Sequence, residues 1–276
     1  NNGKYIGEAI DSVLCQTYTD WECIVINDGS TDNSSQIIQE FTGRDSRIRC
    51  LEQVNAGVTA ARNAGFLEAK GIYIQFLDGD DYLHPEKLER QVKFMSENPA
   101  IDLVYSNHFH HYADKDIIEK YFFTIINNLL QEVLFNWDRG FNIPIHTPLF
   151  RKSIWKGNDK PFESSYLERY EDWVFWVKLG LMELNIAGID ENLAYYRIHG
   201  DNFTSKPSDK AIHAIKAMIY IQSIIPQQFQ SEFIDQTLQY YFEDSYQNRI
   251  NEEFITTLSW KIGRRIAPVV YKLLPG

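Results

Sequence analysis

The stretch Ile72-Tyr73-Ile74-Gln75-Phe76-Leu77-Asp78-Gly79-Asp80-Asp81 decides the fold of this chain. Ile72 to Leu77 is mostly apolar and short, the pattern of a strand buried on both faces. An acidic turn follows at once. Pro85 then marks a helix start, with Leu88, Val92 and Met95 on one face. Working upstream, Thr59 to Ala69 predicts a helix ended near Gly71, and Arg47 to Leu51 a short strand. Asp32 caps a helix carrying Ile37, Ile38 and Phe41, and Cys23 to Ile26 is another buried strand. Ile6, Ile10, Val13 and Leu14 share one helical face. Downstream, Ile101 to Tyr105 predicts a further strand. Strands alternating with helices imply an α/β fold with a doubly wound, mostly parallel sheet. Such sheets bind ligands beyond the carboxyl ends of their strands, where Asn27-Asp28 and Asp78 to Asp81 both fall.

Asn1-Asn2-Gly3 reads as a loop running straight into a helix, so a first strand is expected upstream of Asn1. Residues 106 to 170 are irregular. A helix starts at Glu171 with Trp173, Trp176 and Val177, and Ile186 to Ile189 and Leu193 to Arg197 predict two short strands. From Asp209 the period is helical, with a break near Pro226.

A formal net charge of -11 over 276 residues argues against a broad basic face, so no nucleic-acid partner is expected. A phosphorylated ligand stays open, because a cation can bridge carboxylates to phosphate. Cys15, Cys23 and Cys50 form no C-x-x-C pair and fit a reducing, cytoplasmic setting. No secretory leader or membrane-spanning run of ~18 apolar residues is visible.

Three carboxylates at one strand end repel unless a cation or hydrogen bonds offset them. Oxygen ligands at D-x-D spacing suit Mg²⁺ or Mn²⁺, and the plainer reading is an acidic turn capping the next helix. An EF-hand does not fit, since Tyr82 and Leu83 stand where that loop needs a ligand and a glycine. Asn27 to Asp32 combines a turn and helix cap with a carboxylate able to accept a base N–H. Glu171-Asp172 at a helix start is either dipole capping or a general base. His199 is either structural or a metal ligand.

Taken in order, these pieces resemble glycosyltransferase family 2, the inverting GT-A enzymes. The resemblance runs from Asn1 to about Lys206. It is carried by Asn1 to Ile6, Ala9 to Tyr18, Asn27 to Asp32, Asn55-Ala56-Gly57 with Ala61-Arg62-Asn63, Phe76 to Asp81 with Pro85, Tyr170 to Trp173, and Tyr196 to Asn202. It implies that Asp28 contacts the base and that Asn55 and Arg62 line the nucleotide site. It implies that Asp78 faces the ribose and metal waters, that Asp80 binds Mn²⁺ or Mg²⁺ directly, and that His199 helps hold the metal or pyrophosphate. Asp172 would be the general base, with Glu171 beside it for the acceptor. Asn27 departs from an acid common at that position. The Q-x-x-R-W motif of processive members is absent, which points to single additions. The implied function is transfer of a hexosyl or N-acetylhexosaminyl group from a UDP-linked donor to a glycan or lipid-linked acceptor, in polysaccharide or cell-surface glycan synthesis.

The expected organisation is a catalytic domain over 1–206, its acceptor part at about 106–206, and a helical extension over 207–276. A non-catalytic nucleotide-sugar-binding or scaffold protein on the same fold is the rival; the presence of Asp80, Asp172 and His199 disfavours it. A haloacid-dehalogenase phosphotransferase would carry its D-x-D after the first strand, and a Rossmann oxidoreductase needs a G-x-G-x-x-G that is absent. In 259–276, Lys261, Arg264, Arg265 and Lys272 accompany an apolar face of Ile262, Ile266, Val269, Val270 and Leu273. That segment either lies on anionic lipid at the inner membrane face or packs on the catalytic part or a partner subunit.

Overall fold

Helix α1 (Ile6–Leu14), strand β1 (Cys23–Asp28), helix α2 (Ser34–Arg44), strand β2 (Ile48–Gln53) and helix α3 (Val58–Glu68) open the chain in the predicted alternation. The computed structural model describes residues 1–121, 128–156, 160–163, 169–200 and 210–247. β1 and β2 pair in parallel, Cys23 opposite Ile48 and Asp28 opposite Gln53. Ile10, Ile38, Phe41 and Ile48 form one buried cluster, joining the apolar faces of α1 and α2 to β2. Burying each such side chain stabilises the fold by roughly 1.5–3 kcal/mol. Cys23 to Ile26 is only half-buried, against the expectation of full burial, and β1 has no strand on its other edge among the described residues.

The second sheet holds β3 (Tyr73–Ile74), β4 (Tyr82–Leu83), β5 (Leu103–Tyr112), β6 (Ile117–Tyr121), β7 (Leu149–Arg151) and β8 (Ile186–Ile198). Its order is β3-β7-β5-β8-β4, with β6 on β5. Helices α4 (Lys87–Glu97), α5 (Leu129–Phe135) and α6 (Glu171–Leu181) complete this part. The long β5–β8 ladder is parallel, but β6 and β7 run against β5, β3 against β7, and β4 against β8. The sheet is therefore mixed, where the alternation predicted a mostly parallel one. The β5–β6 connection explains one exception: four residues can join only antiparallel strands, and Asp116 takes φ 52 to close the turn.

β3 is shorter than the predicted Ile72 to Leu77. Gln75 leaves the ladder and donates its amide to the carbonyls of Phe76 and His146. Phe76 then packs edge-on against Phe150, Phe162 and Phe175. The two short strands predicted between Ile186 and Arg197 are one strand with an irregular register, Ser106 facing Ile189 and Asn107 facing Asn192. Asp190 and Glu191, the polar break in the pattern, form the bulge.

The chain forms two compact units, Asn1–Asn202 and Phe203–Gly276. In the second, α7 (Lys210–Ile224) and α8 (Gln227–Gln247) bury Ala217, Met218, Ile221 and Phe233, and Pro226 separates the helices as predicted. No helix among the described residues is long and apolar enough to cross a membrane. The basic segment 259–276 lies outside the described residues.

Candidate active site

The carboxyl end of β1 places Asn27 and Asp28. Asn27 Oδ1 accepts the Ser30 N–H at 3.1 Å, closing the turn. Gly29 has φ 68, and a Cβ there would stand 2.8 Å from the Asn55 nitrogen, so both conformation and space require glycine. Asp28 Oδ1 accepts from Gln53 Nε2 at 2.7 Å and Ala56 N at 2.8 Å, and Oδ2 from Gly57 N at 2.9 Å. Asn55 Nδ2 donates to the Asp28 carbonyl at 3.0 Å. Asp28 and Asn55 are thus brought together. A carboxylate has about four lone-pair sites, so three donors leave Asp28 room for one more.

In the turn after β3, Asp81 N donates to Asp78 O at 3.2 Å. Gly79 lets this turn meet the start of the chain: a Cβ would stand 2.9 Å from Asn2 Nδ2. Asn2 is in turn tied to the other acidic loop, its N–H donating to Ser34 Oγ at 3.1 Å while Gly3 N donates to Asp32 Oδ2 at 2.9 Å. The three carboxylates of the turn take three directions, which relieves their repulsion. Asp78 receives both its bonds from Arg62 Nη2, at 2.7 and 2.9 Å. Asp80 Oδ2 lies 3.3 Å from His199 Nε2. Asp81 turns inward and is buried. Burial first, then the charges of Asp81 and Asp78, push the Asp80 carboxyl up to about 6.

Arg62, on α3, also reaches Glu171 Oε1 at 3.1 Å from Nη1, and its guanidinium lies 5.2 Å from the Phe162 ring. Burial disfavours its charge, but Asp78 and Glu171 outweigh burial and hold it protonated. Glu171 is raised by burial and opposed by Arg62. Asp172 is not part of that ion pair. Its Oδ1 accepts the Trp173 N–H at 2.8 Å, and burial, then the charge of Glu171, raise it to about 8. Tyr170, just before α6, is left-handed at φ 62, an uncommon conformation for a bulky residue.

Two residues without a predicted role belong to this site. Arg197 Nε donates to Asp80 O at 2.8 Å and Nη2 to Glu8 Oε2 at 2.6 Å, and its guanidinium lies 4.8 Å from the rings of both Tyr5 and Tyr82. The signal was a charged residue two positions before His199, on the strand face that also carries Tyr195. His146 Nδ1 lies 2.9 Å from Asp81 Oδ2, and it comes from the irregular region where no pattern marks it.

The donor set fits a divalent cation. Asp80 and His199 offer an oxygen and a nitrogen facing each other, and the carboxylates of Asp81 and Asp78 stand near enough to act on Asp80. No group of three or more His, Cys, Asp or Glu among the described residues is arranged to hold a metal. Two protein ligands suffice for Mg²⁺-type sites, which commonly take their remaining ligands from waters and substrate phosphates.

Comparison with known proteins agrees with this architecture. The profile of Glycosyl transferase family 2 matches residues 1–157. The chain is 28% identical over 229 residues to the glycosyltransferase GlyA of Streptococcus pneumoniae, covering 78% of this chain and 32% of GlyA. It therefore spans about a third of that relative's length. Among solved structures, S. aureus TarS 1-349 in complex with UDP-GlcNAc superposes with a TM-score of 0.67 at 21% identity, over 98% of this chain and 76% of that one. The mannosyltransferase PcManGT from Pyrobaculum calidifontis, in complex with GDP-Man and Mn²⁺, gives 0.61 at 13%, over 98% and 75%. These likenesses establish the α/β GT-A fold. The chain belongs to glycosyl transferase family 2.

Proposed function

We propose that this family 2 member moves one hexosyl or N-acetylhexosaminyl group from a UDP-linked donor to a hydroxyl of a glycan or lipid-linked acceptor, with inversion and with Mn²⁺ or Mg²⁺. One observation carries the reading. Arg62 and Arg197, the arginines beside the acidic turn, are already matched to carboxylates, Arg62 to Asp78 and Glu171, Arg197 to Glu8. Neither is left over to take the charge of a departing diphosphate, whereas Asp80 and His199 present ligands for a cation that is. When bound, a divalent cation neutralises the diphosphate as the sugar–phosphate bond breaks. TarS with UDP-GlcNAc supports the choice of UDP, and PcManGT with Mn²⁺ supports a metal.

The remaining work falls to the chain. Asp28 offers its open lone pair to a base N–H, with Asn55 beside it. Asp78, fixed by Arg62, faces the ribose. Glu171 is committed to Arg62, so Asp172 is the carboxylate that takes the acceptor proton as the hydroxyl attacks in line. A single displacement inverts the anomeric carbon and needs no covalent carboxylate intermediate. Absence of Q-x-x-R-W supports single additions rather than polymerisation.

The catalytic part is 1–206, its acceptor portion about 106–206, and 207–276 is a helical extension. The setting is the cytoplasm. Segment 259–276 contacts the inner membrane face or packs on protein, and liposome flotation with and without those residues separates the two. The central test is calorimetry of UDP with Mn²⁺, with Mg²⁺ and with EDTA. Binding should need the metal; equal affinity in EDTA would overturn the metal reading. A screen of nucleotide sugars for metal-dependent hydrolysis then identifies the donor.

A further inference from the structure

The turn that presents Asp80 is gripped from beneath. Asp81 is 3% exposed and spends its carboxylate inward. Oδ1 accepts the Arg197 N–H at 2.8 Å, and Oδ2 lies 2.9 Å from His146 Nδ1. Arg197 is two residues before His199 on the same strand end. Asp81 is therefore a joint between the turn that carries Asp80 and the strand that leads into His199. Asp80 and His199 are 119 residues apart in sequence, so their meeting depends on such a joint.

His146 is fully buried, and the irregular segment that carries it is fixed on several sides. Gln75 Nε2 donates to the His146 carbonyl at 3.1 Å. Lys87 Nζ and Gln91 Nε2 both donate to the Thr147 carbonyl at 2.9 Å. Trp176 Nε1 donates to the Ile143 carbonyl at 2.9 Å. Burying this many polar groups is costly where apolar packing would serve, so the arrangement calls for a purpose beyond filling space. Its one link to the acidic turn among these bonds is the contact of His146 with Asp81.

We propose that His146 is a positioning residue of the metal site: by holding Asp81 it fixes the angle at which Asp80 meets His199. The proposal rests on reading Asp80 and His199 as metal ligands. His146 touches neither ligand and acts through the turn, because Asp81 N–H on Asp78 O makes the turn move as one piece. Groups that orient metal ligands from behind typically contribute 10–100-fold to metal affinity.

The test compares Mn²⁺ affinity in the presence of UDP, by electron paramagnetic resonance of free Mn²⁺, for the full chain and its variants. Folding is monitored by circular dichroism and thermal melting. His146→Leu should weaken Mn²⁺ by about 10-fold or more in folded protein, with UDP affinity in EDTA unchanged. His146→Asn, which keeps a polar amide near the place of Nδ1 beside Asp81, should restore affinity to within about threefold of the original. Should His146→Leu not fold, His146→Leu with Asp81→Asn removes the unpaired buried charge and is expected to show the same loss. A folded variant of either kind that binds Mn²⁺ like the original overturns the proposal, as does failure of His146→Asn to rescue. A wild-type chain indifferent to Mn²⁺ overturns the metal reading itself, which is a separate outcome.

Discussion

Asp172 shows how environment divides labour between adjacent acids. Glu171 is tied to Arg62 and Asp172 is not, so the burial that raises Asp172 to about 8 leaves it a base of useful strength. Asp172→Asn should cut transfer by ~10²–10⁴-fold with UDP affinity unchanged. The wild-type rate should climb with pH toward and through 8 as Asp172 ionises, and the variant should lack that limb. Stability should move the other way. The carboxyl ionises in the unfolded chain near its ordinary 3.8 but in the folded chain only near 8, so its contribution is present at low pH and is lost as pH rises through that window. The asparagine variant escapes this loss and should melt at the same temperature or higher at pH 8. A well-folded variant with near-normal transfer would remove Asp172 from the mechanism and leave Glu171 as the next candidate. The motifs named Asp28, Asn55, Arg62, Asp78, Asp80, Glu171, Asp172 and His199, and the structure gathers them around two strand ends. They could not disclose that Asp28 is already held by three donors, because two of those are backbone N–H groups.

At the scale of elements, Arg62 fastens three together. It stands on α3 and reaches Asp78 beyond β3 and Glu171 at the first turn of α6, 109 residues away. Only a planar fork serves two carboxylates in this way; a lysine is a point charge on a flexible stem. Arg62→Ala leaves the partly buried carboxylates of Asp78 and Glu171 uncompensated and should destabilise the fold by roughly 1–3 kcal/mol at neutral pH, read by denaturant unfolding. The loss should shrink as pH falls and the carboxyls protonate, and Arg62→Ala with Glu171→Gln should recover part of it. Arg62→Lys should fall between. Additive effects of Arg62→Ala and Glu171→Gln would show that the ion pair does not couple α3 to α6. Helices were legible because a 3.6-residue period survives in any context. Strands were less so: β3 ends where Gln75 finds carbonyl partners, and β8 runs through Asp190 and Glu191 because a bulge absorbs them. Strand direction is set by which elements meet, so local alternation overstated the parallel share of the sheet.

Across the whole molecule, acids outnumber bases 38 to 27, and the ligand proposed for it is itself an anion. That reads as a contradiction until the site is considered. Arg62 and Arg197 are matched by Asp78, Glu171 and Glu8, and burial, then the charges of Asp81 and Asp78, raise Asp80, so carboxylates outnumber cations at the strand ends. Without metal, this field should repel UDP, and salt should screen the repulsion. With Mn²⁺ the sign at the diphosphate reverses, and salt should screen an attraction instead. Raising monovalent salt from about 0.1 M to about 1 M shortens the screening length from about 10 Å to about 3 Å. UDP binding in EDTA, weak as it is, should therefore tighten or hold steady over that range, and binding in Mn²⁺ should weaken by severalfold. Opposite slopes in the two titrations are the expected signature. If binding in EDTA falls with salt as steeply as binding in Mn²⁺, the diphosphate is being met by protein cations, and the assignment of its charge balance to a metal at Asp80 and His199 fails.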